Sequence, residues 1–168
     1  AASDVYKRQI ETSDVLVLGP GSWFTSVMPH LLVPQIVEAI MDSDALKILT
    51  LNVAGADETN GFSPARHLEV LAEHEPRIRF DVVLADRSFA RSDPHLGTFA
   101  RNLGARIVEA DLAMHDGSAR HDPLRLASAY AEVMGVRIRR HAFGAFADVV
   151  RLGAVSYTHL TLPTSDLV

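Results

Sequence analysis

The sequence holds no cysteine. That excludes disulfides and thiolate metal sites, and it is compatible with a reducing cytosol. Nor is there a basic excess: 16 Lys and Arg stand against 21 Asp and Glu in 168 residues, a formal net charge of −5. Such a balance offers no electrostatic footprint for duplex nucleic acid. No apolar run approaches the roughly 20 residues that a membrane span requires. Several local signatures are absent as well. Gly19-Pro20-Gly21-Ser22 lacks the glycine two residues beyond the serine that a nucleophile elbow needs, since Phe24 stands there. Gly19-Pro20-Gly21 has no third glycine to complete a dinucleotide fingerprint, and no Walker lysine follows it. His115-Asp116 lacks the further spaced ligands of a zinc site. No internal repeat or low-complexity tract is present.

What is present centres on residues 14–34. Asp14-Val15-Leu16-Val17-Leu18 is a continuous apolar run with the β-branched content of a strand buried on both faces. Gly19-Pro20-Gly21-Ser22 follows, then Thr25 and Ser26. Glycine permits backbone conformations closed to other residues and removes the Cβ that would hold an anion away. Backbone N–H groups and hydroxyls would then gather at the carboxyl end of a strand, where open α/β sheets bind ligands. An ordinary tight turn without ligand accounts for the same four residues equally well. Pro34 suits the first turn of a helix over Gln35–Met41.

Further along, Leu46–Val53 reads as a second strand, followed by a glycine-containing loop, Ala54–Phe62. Ser63-Pro64 opens a helix to about Glu75, with Ser63 as its cap. Ile78–Ala85 reads as a third strand, Arg87–Pro94 as polar loop, His95–Leu103 as a helix and Arg106–Asp111 as a fourth strand. Asp116-Gly117 marks a turn. Leu124–Met134 is an amphipathic helix that Gly135 is expected to end. Alternation of strand and helix predicts βαβ units with right-handed crossovers, an open parallel sheet in a single α/β unit. Val136–Ala154 shows no clear pattern.

The two ends stand apart. Ala1–Gln9 resembles the translation of a transposase adapter used in sequencing-library preparation, and Val155–Val168 resembles its opposite strand. Codons for Asp4-Val5-Tyr6-Lys7-Arg8 can be written so that their reverse complement, in another frame, encodes Ser156-Tyr157-Thr158-His159. Residues 1–9 and 155–168 are therefore expected to be foreign, with residues 10–154 an internal fragment of a longer protein.

Two clusters are candidates for chemistry. Asp57-Glu58-Thr59 with His67 could gather a carboxylate, a hydroxyl and an imidazole at one strand end. Glu58 would bind a magnesium ion or a sugar hydroxyl, or equally be a solvated loop acid, and His67 would face the same cleft or lie partly buried on its helix. In Arg120-His121-Asp122, the guanidinium is a planar fork suited to phosphate, while Asp122 before Pro123 is a natural helix cap. Nothing in the local pattern requires a cation at Arg120.

Asp14–Val33, Asn52, Glu58-Thr59, Phe62-Ser63, His67-Leu68 and Arg120-His121-Asp122 together resemble the bacterial YvcK family of gluconeogenesis factors. They are similar, more distantly, to the 2-phospho-L-lactate transferases of the same superfamily, called CofD-like. The resemblance implies a cytoplasmic Rossmann-like α/β domain, present here in part, with helices on both faces of its sheet. It further implies binding of UDP-sugars such as UDP-N-acetylglucosamine or UDP-glucose, with effects on carbon metabolism, cell-wall precursor supply and cell shape. Carried over residue by residue, Gly19, Pro20, Gly21, Ser22, Thr25 and Ser26 would line the nucleotide-sugar cleft, with Asn52, Glu58, Thr59 and His67 beside it. Arg120 and His121 would meet a phosphate or the nucleotide. The family's glycine-rich phosphate loop and aspartate-rich motif lie outside residues 10–154. Ala54-Gly55-Ala56-Asp57 departs from a more polar family stretch, and Pro123 stands where some members carry threonine. No resident cofactor is implied; magnesium belongs only to the transferase alternative, which would act on a deazaflavin. A homo-oligomer is compatible with the resemblance.

Overall fold

A computed structural model describes residues 2–55 and 59–142. Four strands form one parallel sheet in the order β1-β2-β3-β4: β1 (Val15–Leu18), β2 (Leu46–Thr50), β3 (Val82–Asp86) and β4 (Arg106–Ala110). The connections carry helices α2 (Pro34–Asp42), α3 (Pro64–His74), α4 (Arg87–Arg91) and α5 (Leu96–Asn102). Helix α1 (Ala2–Glu11) precedes β1 and packs against α2; α6 (Pro123–Ala142) follows β4. This is the α/β, Rossmann-like arrangement expected, with helices on both faces.

Strand periodicity explains the two layers. Along β2, Leu46, Ile48 and Thr50 point to one face and Leu49 and Leu51 to the other. Leu49, Leu51 and Val83 join a core with Ile36, Val37 and Ile40 of α2, Leu68 and Leu71 of α3, and Leu96 and Ala100 of α5. Leu46, Ile48, Val82 and Leu84 join a second core with Leu112 and with Ala129, Tyr130 and Val133 of α6. Thr50 obeys the same parity: on the α6 side, its Oγ1 hydrogen-bonds Tyr130 Oη at 2.8 Å.

Three expectations are corrected. The first strand is not buried on both faces: β1 is an edge of the described sheet, Val17 is exposed, and Val15 and Leu16 are half-buried. The polar segment after β3 begins with a short helix rather than loop, because Asp86 caps α4 by accepting from the Ser88 N–H at 2.9 Å. Gly135 does not end α6, which runs on to Ala142; one glycine costs a helix only about 1 kcal/mol. Helix α1 carries Ile10, which is buried in the first core. Residues 143–154 of the last, unassigned stretch lie outside the described residues.

Candidate functional site

The loop after β1 is held from within. Gly19 has φ 77°, and an added Cβ would lie 2.4 Å from the Thr50 carbonyl oxygen, so only glycine lets the chain leave β1 against β2. The Gly19-Pro20 peptide is cis. Asn52, just past β2, clamps the next residue: its Oδ1 accepts from the Gly21 N–H at 3.1 Å, and its Nδ2 donates to the Gly21 carbonyl at 3.0 Å. Ser22 then caps a π-helical turn, Trp23–Val27, followed by a 3₁₀ turn, Met28–Leu32. Ser22 Oγ accepts from the Thr25 N–H at 3.3 Å and also hydrogen-bonds Thr25 Oγ1. The Ser22 carbonyl accepts from the N–H groups of Ser26 and Val27, at 2.8 and 3.2 Å.

This corrects the picture of a cradle of open amides. The N–H groups of Gly21, Thr25, Ser26 and Val27 all have partners inside the loop or on Asn52. Phe24, Thr25 and Ser26 are exposed, the Thr25 hydroxyl being held by Ser22 Oγ. Asn52 shapes the loop rather than reaching from it.

At the neighbouring strand ends, Asp86 closes the rim. Its Oδ1 accepts from the Ser88 N–H (2.9 Å) and hydroxyl (2.6 Å), and its Oδ2 accepts from the N–H groups of Leu112 (2.9 Å) and Ala113 (3.2 Å). Burial alone raises this carboxyl's pKa. The Ser88 hydroxyl and the amides of Leu112, Ser88 and Ala113 outweigh it and hold the group below the usual carboxylate value. Residues 113–121 fold back through an antiparallel bridge between Ala113 and His121. His121 thereby reaches the Leu51 carbonyl at the end of β2. Burial lowers its pKa, while the Leu51 hydrogen bond and the Asp86 carboxylate oppose the shift. Its Nε2 is buried without a partner among the described residues.

Arg120 has the local partners that its sequence context did not suggest. It donates to Asp116 Oδ2 at 3.3 Å and to Ser118 Oγ at 3.3 Å across the Asp116-Gly117 turn, with its side chain largely exposed. Asp122 caps α6 as expected, accepting from the N–H groups of Leu124 and Arg125.

The other cluster is described only in part. Glu58 lies outside the described residues. Thr59 is buried at 1% exposure and His67 at 0%. Helical spacing is the reason for His67: it shares a face with Pro64, Leu68 and Leu71, all in contact with the interior, whereas Arg66, Glu69 and Glu73 form an ion-paired stripe on the other side. Among the described residues no three His, Asp or Glu side chains converge as a cation site would require. Sequence reasoning missed Asp86 and Tyr130 as rim residues. For Asp86 the signal was available, since Asp-x-Ser at a strand end is a cap pattern.

The profile of the family described as 2-phospho-L-lactate transferase CofD matches residues 1–123. The chain belongs to the CofD family. Within it, the protein named "Putative gluconeogenesis factor" of Mycobacterium leprae is 42% identical over 133 residues, which make up 77% of this chain and 36% of that protein. A protein of the same name from Nostoc sp. is 35% identical over 137 residues, covering 71% and 30%. The crystal structure of protein BH3568 from Bacillus halodurans superposes with a TM-score of 0.61 at 28% identity, over 74% of this chain and 45% of that one. A second structure of BH3568, described as a member of the UPF0052 family, agrees with a TM-score of 0.61. These relatives bear out the YvcK-type, CofD-like resemblance, and the chain spans about a third of the length of the first-named relative.

Proposed function

We propose that this CofD-family chain is part of a cytoplasmic regulator that binds a nucleotide sugar, UDP-N-acetylglucosamine or UDP-glucose, at the carboxyl ends of β1 and β2. The observation that carries the reading is the loop Gly19–Ser26, fixed by Asn52 and by its own hydroxyl caps, with Thr25 and Ser26 exposed. A rigid turn with exposed hydroxyl residues suits the oxygens of a sugar diphosphate, because the loop is already ordered before the ligand arrives. His121 stands at the adjoining strand end, and Arg120 is close enough in sequence to swing from its exposed pair with Asp116. The name gluconeogenesis factor, carried by the relatives, supports a role in carbon metabolism. Cell-wall precursor supply and cell shape belong to the same reading.

A second reading is a transferase of the phospholactate type acting on a deazaflavin with magnesium. The name of the matching family favours it. The test is calorimetry on the full-length protein with UDP-N-acetylglucosamine, UDP-glucose and a deazaflavin, followed by an assay for turnover. Binding of a UDP-sugar without turnover is expected. Turnover with the deazaflavin establishes the second reading, and failure of both UDP-sugars to bind overturns the first. Residues 10–154 alone are expected to bind UDP-N-acetylglucosamine weakly or not at all, since the resemblance puts the family's phosphate loop outside them; tight binding would refute that division of the site.

A further inference from the structure

Three buried side-chain polar atoms find no hydrogen-bond partner among the described residues: Trp23 Nε1, His67 Nε2 and His121 Nε2. The first two belong to rings in contact. Trp23, the first residue of the turn after Ser22, meets His67 edge to face with centroids 4.9 Å apart. Phe62 and Phe89 complete the surround at 5.4 and 6.0 Å from the imidazole. Trp23 is the chain's single tryptophan, and only 1% of it is exposed.

The chemistry of these atoms is complementary. His67 Nδ1 lies 2.8 Å from the Ser63 carbonyl oxygen. A carbonyl only accepts, so Nδ1 carries the hydrogen, and in the neutral ring Nε2 is left as an acceptor. Trp23 Nε1–H only donates. A donor without acceptor and an acceptor without donor therefore share one apolar enclosure, where each unpaired atom is costly. Protonation would turn Nε2 into a second donor and bury a charge among aromatic rings.

We propose that His67 is a positioning residue for the glycine loop: as a neutral imidazole it seats Trp23, and its protonation unseats Trp23 and loosens the loop. The proposal rests on the reading of that loop as the ligand-holding element. Among the described residues, no charged group offsets the effect. Arg66, Glu69 and Glu73 pair with one another on the exposed side of α3. On the neighbouring connection, Asp93 accepts from the N–H groups of Ala65 and His95. Burial, and then the Ser63 carbonyl, are what act on the ring, with a lowered pKa as the net result.

The test is tryptophan emission of the 168-residue chain against pH, with His67→Gln beside the wild type. Expected in the wild type is a single red-shifting transition below the ordinary histidine value of about 6.5, with far-UV circular dichroism unchanged across it. His67→Gln, which cannot titrate, is expected to lack the transition. A transition of equal size in His67→Gln refutes the proposal. Should that variant not fold, nitrogen-15 correlation of the wild-type imidazole decides instead. A hydrogen on Nδ1 and titration below the ordinary value support the proposal, and a hydrogen on Nε2 overturns it. In the full-length protein, UDP-N-acetylglucosamine affinity should fall across the same transition, about tenfold for each unit by which binding lowers the His67 pKa. An emission transition without sugar-nucleotide binding at any pH would remove the functional reading and leave the seating of Trp23 intact. An emission transition with affinity independent of pH would refute the coupling.

Discussion

Replacing Asp86 by Asn changes one atom of the rim and tests how it is held together. The carboxylate is 3% exposed and accepts four hydrogen bonds, two from Ser88 and one each from the Leu112 and Ala113 N–H groups. Asn presents one oxygen and one NH2. Turned toward Leu112 and Ala113, the NH2 strands two backbone N–H groups. Turned toward Ser88 it strands only one, because the hydroxyl can rotate to accept. The second arrangement is the cheaper. It leaves one unpaired N–H at about 1–3 kcal/mol, and the surviving bonds to Leu112 and Ala113 lose their charge assistance and about half their strength. The expected loss is about 2–4 kcal/mol, a large part of the about 5–15 kcal/mol that stabilises a typical domain. Urea denaturation followed by circular dichroism should show a lower midpoint with an unchanged slope. A change smaller than about 0.5 kcal/mol, the range of ordinary surface substitutions, would refute the account. The pH dependence has a definite sign. The folded pKa of Asp86 lies below the ordinary carboxylate value, so on acidification the unfolded chain takes up the proton first. The contribution is complete above about pH 4 and is lost as pH falls through the folded value. Wild type should therefore lose stability on acidification more steeply than Asp86→Asn.

Gly19→Ala should destabilise the chain by about 1–2 kcal/mol from the left-handed backbone alone, with more from the 2.4 Å approach to the Thr50 oxygen; an unchanged urea midpoint would show that the exit from β1 is not so constrained. Arg120→Ala removes an exposed pair with Asp116, so the thermal midpoint should not move, while full-length affinity for UDP-glucose should fall at least tenfold, and equal affinity would take Arg120 out of the site. His67 has a lowered pKa, so its ring is neutral at pH 7 and the unfolded chain binds the proton first on acidification. Stability should decline below about pH 6.5 until the folded value is passed; His67→Gln should flatten that decline in urea titrations, and identical profiles would contradict the burial of the ring.

Much of the chain is legible one residue at a time. Ser63-Pro64 and Asp122-Pro123 announce helix starts because the cap is a local hydrogen bond to an amide two or three positions on, and both caps form. Ile78–Ala85 reads as a strand because apolar residues follow one another without alternation from Val82 to Ala85, and the observed strand, Val82–Asp86, has all five residues buried. The same rule misjudges Val15–Leu18, for apolar composition states what a strand prefers and not whether another element covers it. His67 reads from sequence either as a residue facing the cleft or as a partly buried helix histidine. Its burial follows from which face of α3 meets Trp23, Phe62 and Phe89, residues drawn from three separate segments.

By itself, then, the order of residues determined the alternation of strands and helices, the caps, the breaks at Gly19 and Gly117, and membership in the CofD family, since each depends on neighbours in the chain or on a motif matched along it. Only the tertiary structure decided that Asn52 occupies the Gly21 backbone, that Asp86 gathers the amides of Leu112 and Ala113, and that Arg120 leans on Asp116. Asn52 reaches across 31 positions and Asp86 across 26 and 27, and no local pattern encodes a hydrogen bond whose partner is brought close by the parallel pairing of strands. Even the contact over four positions at Arg120 depends on the turn at Gly117, whose backbone places the guanidinium over the carboxylate.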